Sequence, residues 1–234
     1  MSASHAEIVG EKLDRVKTAS LYFVCEARPS DRDPGGLLDA AIRGGAGIIQ
    51  LRDKGLDDED LFAAAPAFRR AADGGRALFI LNDRPDLVAS CGADGVHVGQ
   101  DDLAVEEARA IAGPAALVGL STHSASQVEA ACAAEGPARP DQISVGPVWE
   151  TPTKEGRPAT GLGLVEFAAE SATVPWFAIG GIDARTAAEV AAAGARRAVV
   201  VRAIRDAEDP EAAARSIVGA FAAADRQTAV RTDG

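Results

Sequence analysis

With 234 residues, 47% of them hydrophobic, the chain can bury a sizeable core, which excludes a disordered or fibrous polymer. A formal net charge of −11 excludes a general nucleic-acid surface, which needs a basic face; an anionic substrate would require local cations to offset the global field. No apolar run approaches the roughly 20 residues of a membrane span.

The opening MSASHAEIVGEKLDRVK is polar and acid-bearing, without the apolar segment of a signal peptide. Residues 1–18 read as an N-terminal extension, an extra helix beneath the domain that follows. From there, short runs rich in β-branched residues alternate with alanine-rich helical segments. The expected strands are LYFVC (21–25), GIIQL (47–51), ALFIL (77–81), GVHVG (95–99), ALVGLS (116–121), QISVG (142–146), WFAIG (176–180) and AVVVR (198–202). Helices are expected between them at 37–43, 58–72, 85–90, 105–111, 125–134, 164–171 and 184–193, with a last one at 210–224. Gly74, Gly92, Gly113, Gly136 and Gly194 stand where left-handed helix closures are wanted. Strands each followed by a helix describe a single α/β domain, a (β/α)₈ TIM barrel over 19–225, with 226–234 as a tail. A doubly wound open sheet is the alternative; regular units at short spacing favour closure. Three separated cysteines, Cys25, Cys91 and Cys132, suit a reducing cytoplasm and small buried roles, so a cytoplasmic protein is expected.

Barrel sites form at the C-terminal ends of the strands, so the polar residues there carry the functional argument. After the second strand, QLRDK places Gln50, Arg52 and Lys54 on one face of an extended segment, alternating with Leu51 and Asp53. Two cations and an amide suit a polyanion such as pyrophosphate; the plain alternative is a solvated strand end. After the third and fourth strands come Asn82-Asp83-Arg84 and Gly99-Gln100-Asp101-Asp102. Neighbouring strands lie about 5 Å apart, so their terminal carboxylates can share one cation. Few hard oxygen ligands suit Mg²⁺, which completes its octahedron with water and phosphate oxygens. Asp83 and Asp102 are the expected ligands and Asp101 a cap or a group behind them, although either adjacent acid could play either part. The alternative is that all three cap helices.

His97, inside the fourth strand, reads as a satisfied core residue; His123 is a loop residue without a clear partner, and His5 belongs to the tail. No acid–base mechanism rests on them. After the sixth strand a long Gly/Pro/Thr loop, GPVWETPTKEGRPATGLG, offers Thr151, Thr153 and Lys154, a set that can hold a phosphate. After the seventh, Gly180-Gly181 lets backbone N–H groups approach an anion, and Val201-Arg202 ends the eighth. The rim thus shows two anion sites, one metal-dependent, a pattern suited to joining two phosphorylated small molecules.

Taken in order, QLRDK, LNDRPDLVASCGADGVHVGQDD, GLSTHS, GPVWETPTK and AIGGI resemble the motifs of the thiamine phosphate synthase (thiamine-phosphate pyrophosphorylase) family, across about 21–224. The resemblance implies a (β/α)₈ barrel and a transferase. Its reaction moves the pyrimidinylmethyl group of 4-amino-2-methyl-5-(diphosphooxymethyl)pyrimidine onto the nitrogen of a (carboxy)thiazole phosphate. Pyrophosphate leaves, with CO₂ when the carboxythiazole is used, and thiamine phosphate forms. By matching positions, Gln50, Leu51, Arg52, Asp53, Lys54, Asn82, Ser121 and Lys154 would line the pyrimidine diphosphate. Asp83 and Asp102 would hold Mg²⁺. Thr151, Pro152, Thr153, Gly181, Val201 and Arg202 would receive the thiazole phosphate. Arg52, Lys54 and Lys154 would carry the catalytic charge in a dissociative mechanism that needs no nucleophile.

Two departures stand out: Arg202 occupies the position of the family's usual serine, and Trp149-Glu150 replaces a frequent tyrosine and proline. Retention of Arg52, Lys54, Asp83, Asp102 and Lys154 favours an active synthase over a relative that lost the activity, such as a thiazole tautomerase or a regulatory barrel; a non-catalytic phosphate-ligand binding protein is the rival of a different class. The absence of a convincing acid–base pair disfavours a sugar-phosphate epimerase. Expected partners are small phosphorylated molecules, with no nucleic acid and no membrane; a homo-oligomer is left open.

Overall fold

The computed structural model describes residues 4–29, 33–151 and 158–232. Eight parallel strands close into a barrel in sequence order: β1 Leu21–Cys25, β2 Ala46–Leu51, β3 Leu78–Asn82, β4 Gly95–Val98, β5 Leu117–Thr122, β6 Gln142–Val145, β7 Trp176–Ile179 and β8 Ala198–Val200. Pairing of Leu21 with Ala198 and of Phe23 with Val200 completes the ring. Closure rather than an open sheet is therefore the outcome. The helices are α1 His5–Thr18, α2 Gly35–Arg43, α3 Asp58–Gly75, α4 Val105–Ala112, α5 Ala125–Ala133, α6 Gly161–Ser171, α7 Ala187–Ala192, α8 Arg202–Arg205 and α9 Pro210–Thr232.

Strand periodicity divides the core into two buried layers. Tyr22, Val24, Ile48, Ile80, Phe177 and Val199 fill one cluster inside the barrel. Their neighbours Leu21, Phe23, Ile49, Phe79 and Val200 belong to the other, between barrel and helices. There Phe68 of α3 stacks on Phe79 with centroids 5.5 Å apart, and each such side chain contributes about 1.5–3 kcal/mol by burial. Cys25 and Cys91 are buried and Cys132 half-buried, all as free thiols. Burial pushes the Cys25 thiol up to about 12, which leaves it unreactive.

α1 begins with Ser4, whose hydroxyl caps Glu7 N–H while the Glu7 carboxylate accepts from Ser4 N–H. The helix packs against the barrel through Val16. Its Lys12 ammonium donates to the Asp94 and Ala115 carbonyls at 3.2 and 2.9 Å.

Several boundaries depart from the sequence pattern: the last helix runs on to Thr232, past the expected end at 224 and into the expected tail, α6 starts at Gly161 rather than 164, and four others have a visible cause. The segment expected as a helix at 85–90 is a single 3₁₀ turn, Pro85–Leu87, because Gly92 turns at φ 65° and Asp94 must already begin pairing with Phe79. Strand β8 stops at Val200, and the backbone of Val201 at ψ −88° turns Arg202 into the first residue of α8. Helix α7 starts late because the Asp183 carboxylate accepts from the Arg185 and Thr186 N–H groups, making a tight turn first. Helix α3 runs past Gly74 and closes at Arg76, φ 56°. Gly75 fulfils a different need, since a Cβ there would lie 2.1 Å from Ile42 of α2. Among the described residues, no helix is long and apolar enough to cross a membrane.

Candidate active site

The C-terminal mouth of the barrel holds three cavities that share walls. A cleft of about 100 Å³ lies beyond β2 to β5 and is lined by Arg52, Lys54, Asn82, Asp83, Asp102 and Ser121, with His97, Asp101 and His123 also in its wall. A cavity of about 260 Å³ lies beyond β7 and β8, where Thr151, Gly181, Val201 and Arg202 meet. Between them sits a narrow inner space of about 40 Å³. It borrows Arg52, Asn82, His97 and Ser121 from the first cleft, and Ile179, Val199 and Val201 from the second.

The cationic face is anchored from below. Gln50 is buried in β2 and donates its amide to the Tyr22 hydroxyl at 2.5 Å. Arg52 is fixed just beyond the strand by its N–H bond to the Cys25 carbonyl, 2.9 Å, and its side chain reaches both the acidic cleft and the inner space. Lys54 extends to Asp83, Nζ to Oδ2 3.5 Å. Leu51 faces the other way, buried in the layer under the helices, and Asp53 accepts from Gly55 N–H in its own turn; neither lines the three cavities.

The acids come together as their strand ends dictate. Asp83 adopts a left-handed backbone, φ 59°, a conformation that Asp and Asn tolerate better than most residues. Its N–H donates to the His97 carbonyl at 2.9 Å, tying the end of β3 to β4. Asp102 accepts from Gly99 N–H at 2.7 Å, which folds the loop after β4 back over the mouth. Burial raises the Asp83 carboxyl above its ordinary value, and the adjacent Asp102 carboxyl raises it further; Lys54 and Asn82 pull it down only in part. Helix capping does not explain this arrangement: the N-cap of α4 is Ala104 and that of the turn after Asp83 is Arg84.

Two crowded carboxylates, one half-buried, form a donor set that a divalent cation relieves. Among the described residues, no group of three His, Cys, Asp or Glu is placed to hold a metal.

At the other end, Gly181 turns at φ 69°, and a Cβ there would lie 2.9 Å from Cβ of Trp149. The backbone therefore approaches the cavity where a side chain could not. Arg202 stands exposed at the cavity wall as the first residue of α8. Pro152, Thr153 and Lys154 lie outside the described residues.

Sequence reasoning did not single out Tyr22, Gln142 or Ser144, all buried inside the barrel. The available signal was the alternation in QISV, where polar Gln142 and Ser144 share one strand face while Ile143 and Val145 take the other. His97 is buried, as expected of a core histidine, yet it also lines the acidic cleft.

Comparison with known proteins shows the family. A family model described as thiamine monophosphate synthase matches residues 21–204. A thiamine-phosphate synthase of Mycobacterium ulcerans is 49% identical over 220 residues, covering 90% of this chain and 98% of that protein. One of Thermobifida fusca is 50% identical over 214 residues, covering 89% and 97%. The solved structure of a thiamine phosphate pyrophosphorylase from Pyrococcus furiosus superposes with a TM-score of 0.79 at 27% identity, covering 89% of this chain and 98% of that one. The chain belongs to the thiamine monophosphate synthase family and is a transferase.

Proposed function

We propose that the three joined cavities carry out a dissociative pyrimidinylmethyl transfer that yields thiamine phosphate. The diphosphate of the pyrimidine substrate occupies the acidic cleft, its ring the inner space beside Gln50 and Asn82, and the thiazole phosphate the larger cavity. The observation that carries this reading is the shared wall: Arg52 and Ser121 border both the cleft and the inner space, and Val201 borders both the inner space and the larger cavity. Two anionic substrates held that way have their reacting ends facing each other.

Asp83 and Asp102 would hold Mg²⁺, which when bound supplies positive charge for the departing diphosphate. The rest falls to the chain's own groups. Arg52 and Lys54, with Lys154 as a third cation, stabilise the negative charge that develops as the C–O bond breaks. The electron-rich aminopyrimidine supports the resulting cation. Apolar Ile179, Val199 and Val201 keep water from the methylene. The Gly181 backbone and the Arg202 guanidinium hold the thiazole phosphate, so that its ring nitrogen faces that carbon. No side chain has to act as nucleophile or base.

The test is product formation. The protein mixed with both phosphorylated halves and Mg²⁺ should yield thiamine phosphate, read by fluorescence after oxidation. Chelator should stop it, and Asp83→Asn should lower it by at least about a hundredfold, the scale of losing charge stabilisation in a transition state. Unchanged turnover in the variant would remove Asp83 from the metal site.

A further inference from the structure

The loop after β4 is fastened to β5 by a side chain that the reaction above leaves without a role. The two strands run in parallel, with His97 opposite Gly119 and Val98 opposite Leu120. One more step of that register would set Gly99 opposite Ser121 and bring the Gln100 N–H to the Ser121 carbonyl. The strand ends at Val98 instead, and the backbone turns. The Gln100 side chain supplies the missing bond: its Nε2 donates to the Ser121 carbonyl at 2.6 Å. A carbonyl oxygen only accepts, so the amide nitrogen is the atom that meets it.

The turn released in this way is the one that carries Asp102. The Asp102 carboxylate accepts from Gly99 N–H at 2.7 Å, and the Asp102 N–H donates to the Gly99 carbonyl at 3.4 Å. The fit is close, since a Cβ on Gly99 would lie 2.8 Å from Asp102 Oδ2. Asp102 is thus placed relative to Gly99, and the next residue, Gln100, ties that turn to the barrel wall.

We propose that Gln100 is the positioning residue of the metal site. Its side chain takes over a backbone ladder bond, which frees the chain to fold Asp102 back into the cleft it shares with Asp83 while keeping the turn attached to β5. A plain strand could not meet both needs. Continued pairing would carry each further residue about 3.3 Å along the strand, away from the mouth. An untethered turn would let the carboxylate swing outward, a movement that the like charge of Asp83 favours until a cation joins the two. The latch holds the acids together beforehand, so cation binding has less ordering left to supply.

The inference rests on the proposed function for the metal, and two measurements separate the ideas. The first uses the ligand-free protein. Gln100→Met keeps the length of the side chain and removes the donor; the residue lies at the surface, so the barrel should fold unchanged. In amide hydrogen exchange followed by NMR, the Gly99 N–H of the variant should lose its protection, while Val96 and Val118 within the strands stay as slow as in wild type. Unchanged protection at Gly99 overturns the latch.

The second is calorimetry of pyrophosphate binding across a series of Mg²⁺ concentrations. The Mg²⁺ needed for half-maximal binding should rise about 3- to 10-fold in Gln100→Met, the scale of one hydrogen bond. Saturating Mg²⁺ should restore full binding, and thiazole phosphate should bind the variant as it binds wild type. A residue that touched the diphosphate itself would leave binding weaker even at saturating metal. That result, or an unshifted Mg²⁺ midpoint, overturns the proposal. A wild-type protein that binds no pyrophosphate at any Mg²⁺ concentration would sink the metal–diphosphate reading, with Gly99 exchange still deciding whether Gln100 holds the turn.

Discussion

Asp83 shows how one residue can oppose the fold for the sake of a site. Burial and the neighbouring Asp102 raise its carboxyl above the ordinary aspartate value of 3.8, so its charged form is disfavoured in the folded protein. The sign follows from linkage: the folded state is favoured while the carboxyl is protonated, and that advantage disappears as pH rises through the folded-state pKa. Asp83→Asn removes the charge, keeps the shape and tolerates the left-handed backbone. The metal-free variant should therefore melt higher than wild type at pH 7. The gain should fade as pH approaches 4. A scanning melt at the two pH values checks this, and a lower midpoint at pH 7 would contradict it. At the thiazole end, Arg202→Ala should raise KM for the thiazole phosphate about tenfold and leave that for the pyrimidine diphosphate nearly unchanged. Steady-state kinetics with each substrate varied in turn would show it, and equal effects would move Arg202 out of that subsite.

The residues legible in the sequence were those whose type and spacing are both unusual. Arg52 and Lys54 alternate beyond a strand, and acids follow two successive strands. Tyr22, Gln142 and Ser144 were not legible, because a polar residue inside an apolar strand reads as an interruption until its cross-barrel partners are known. Leu51 and Asp53 fell within a recognised motif, yet the strand twist and the following turn point them away from the cavities.

At the scale of elements, the barrel is held at the end opposite the site by a repeated device. Asp94, just before β4, accepts from Phe79 N–H at 2.9 Å and from Arg69 of α3 at 3.0 Å. Asp141, just before β6, accepts from Val118 N–H at 2.7 Å and from Arg109 of α4 at 3.0 Å. Each carboxylate thus ties a strand start to its neighbour and to a helix, and Asp94 also faces Lys12 of α1 at 3.5 Å. Removing one leaves a guanidinium and a backbone N–H short of an acceptor. Asp94→Ala should cost about 2–4 kcal/mol by denaturant unfolding, with kcat of the folded fraction unchanged. A fall in kcat at constant folded fraction would mean that this end of the barrel couples to the other.

The strands themselves were readable because β-branched runs recur between alanine-rich segments. Their ends were not, since β8 stops where the backbone of Val201 leaves the extended region and the 85–90 helix yields to a single turn. Both outcomes depend on what the neighbouring strand requires, which local pattern does not contain.

At the scale of the whole molecule, a chain with net charge −11 must bind two anions. In the proposed function the answer lies in separation: one anion site would gather Arg52 and Lys54 around acids that would take a cation, and the other would use backbone at Gly181 and the exposed Arg202. Binding at the first should therefore require a divalent cation, and binding at the second should not. Isothermal titration of pyrophosphate and of thiazole phosphate, each with Mg²⁺ and with chelator, tests that division directly. The account predicts pyrophosphate binding only with Mg²⁺, and its loss in Asp102→Asn, while thiazole phosphate binds alike under every condition. Equal dependence of both ligands on the metal, or none for either, would contradict the two-site reading of the barrel mouth.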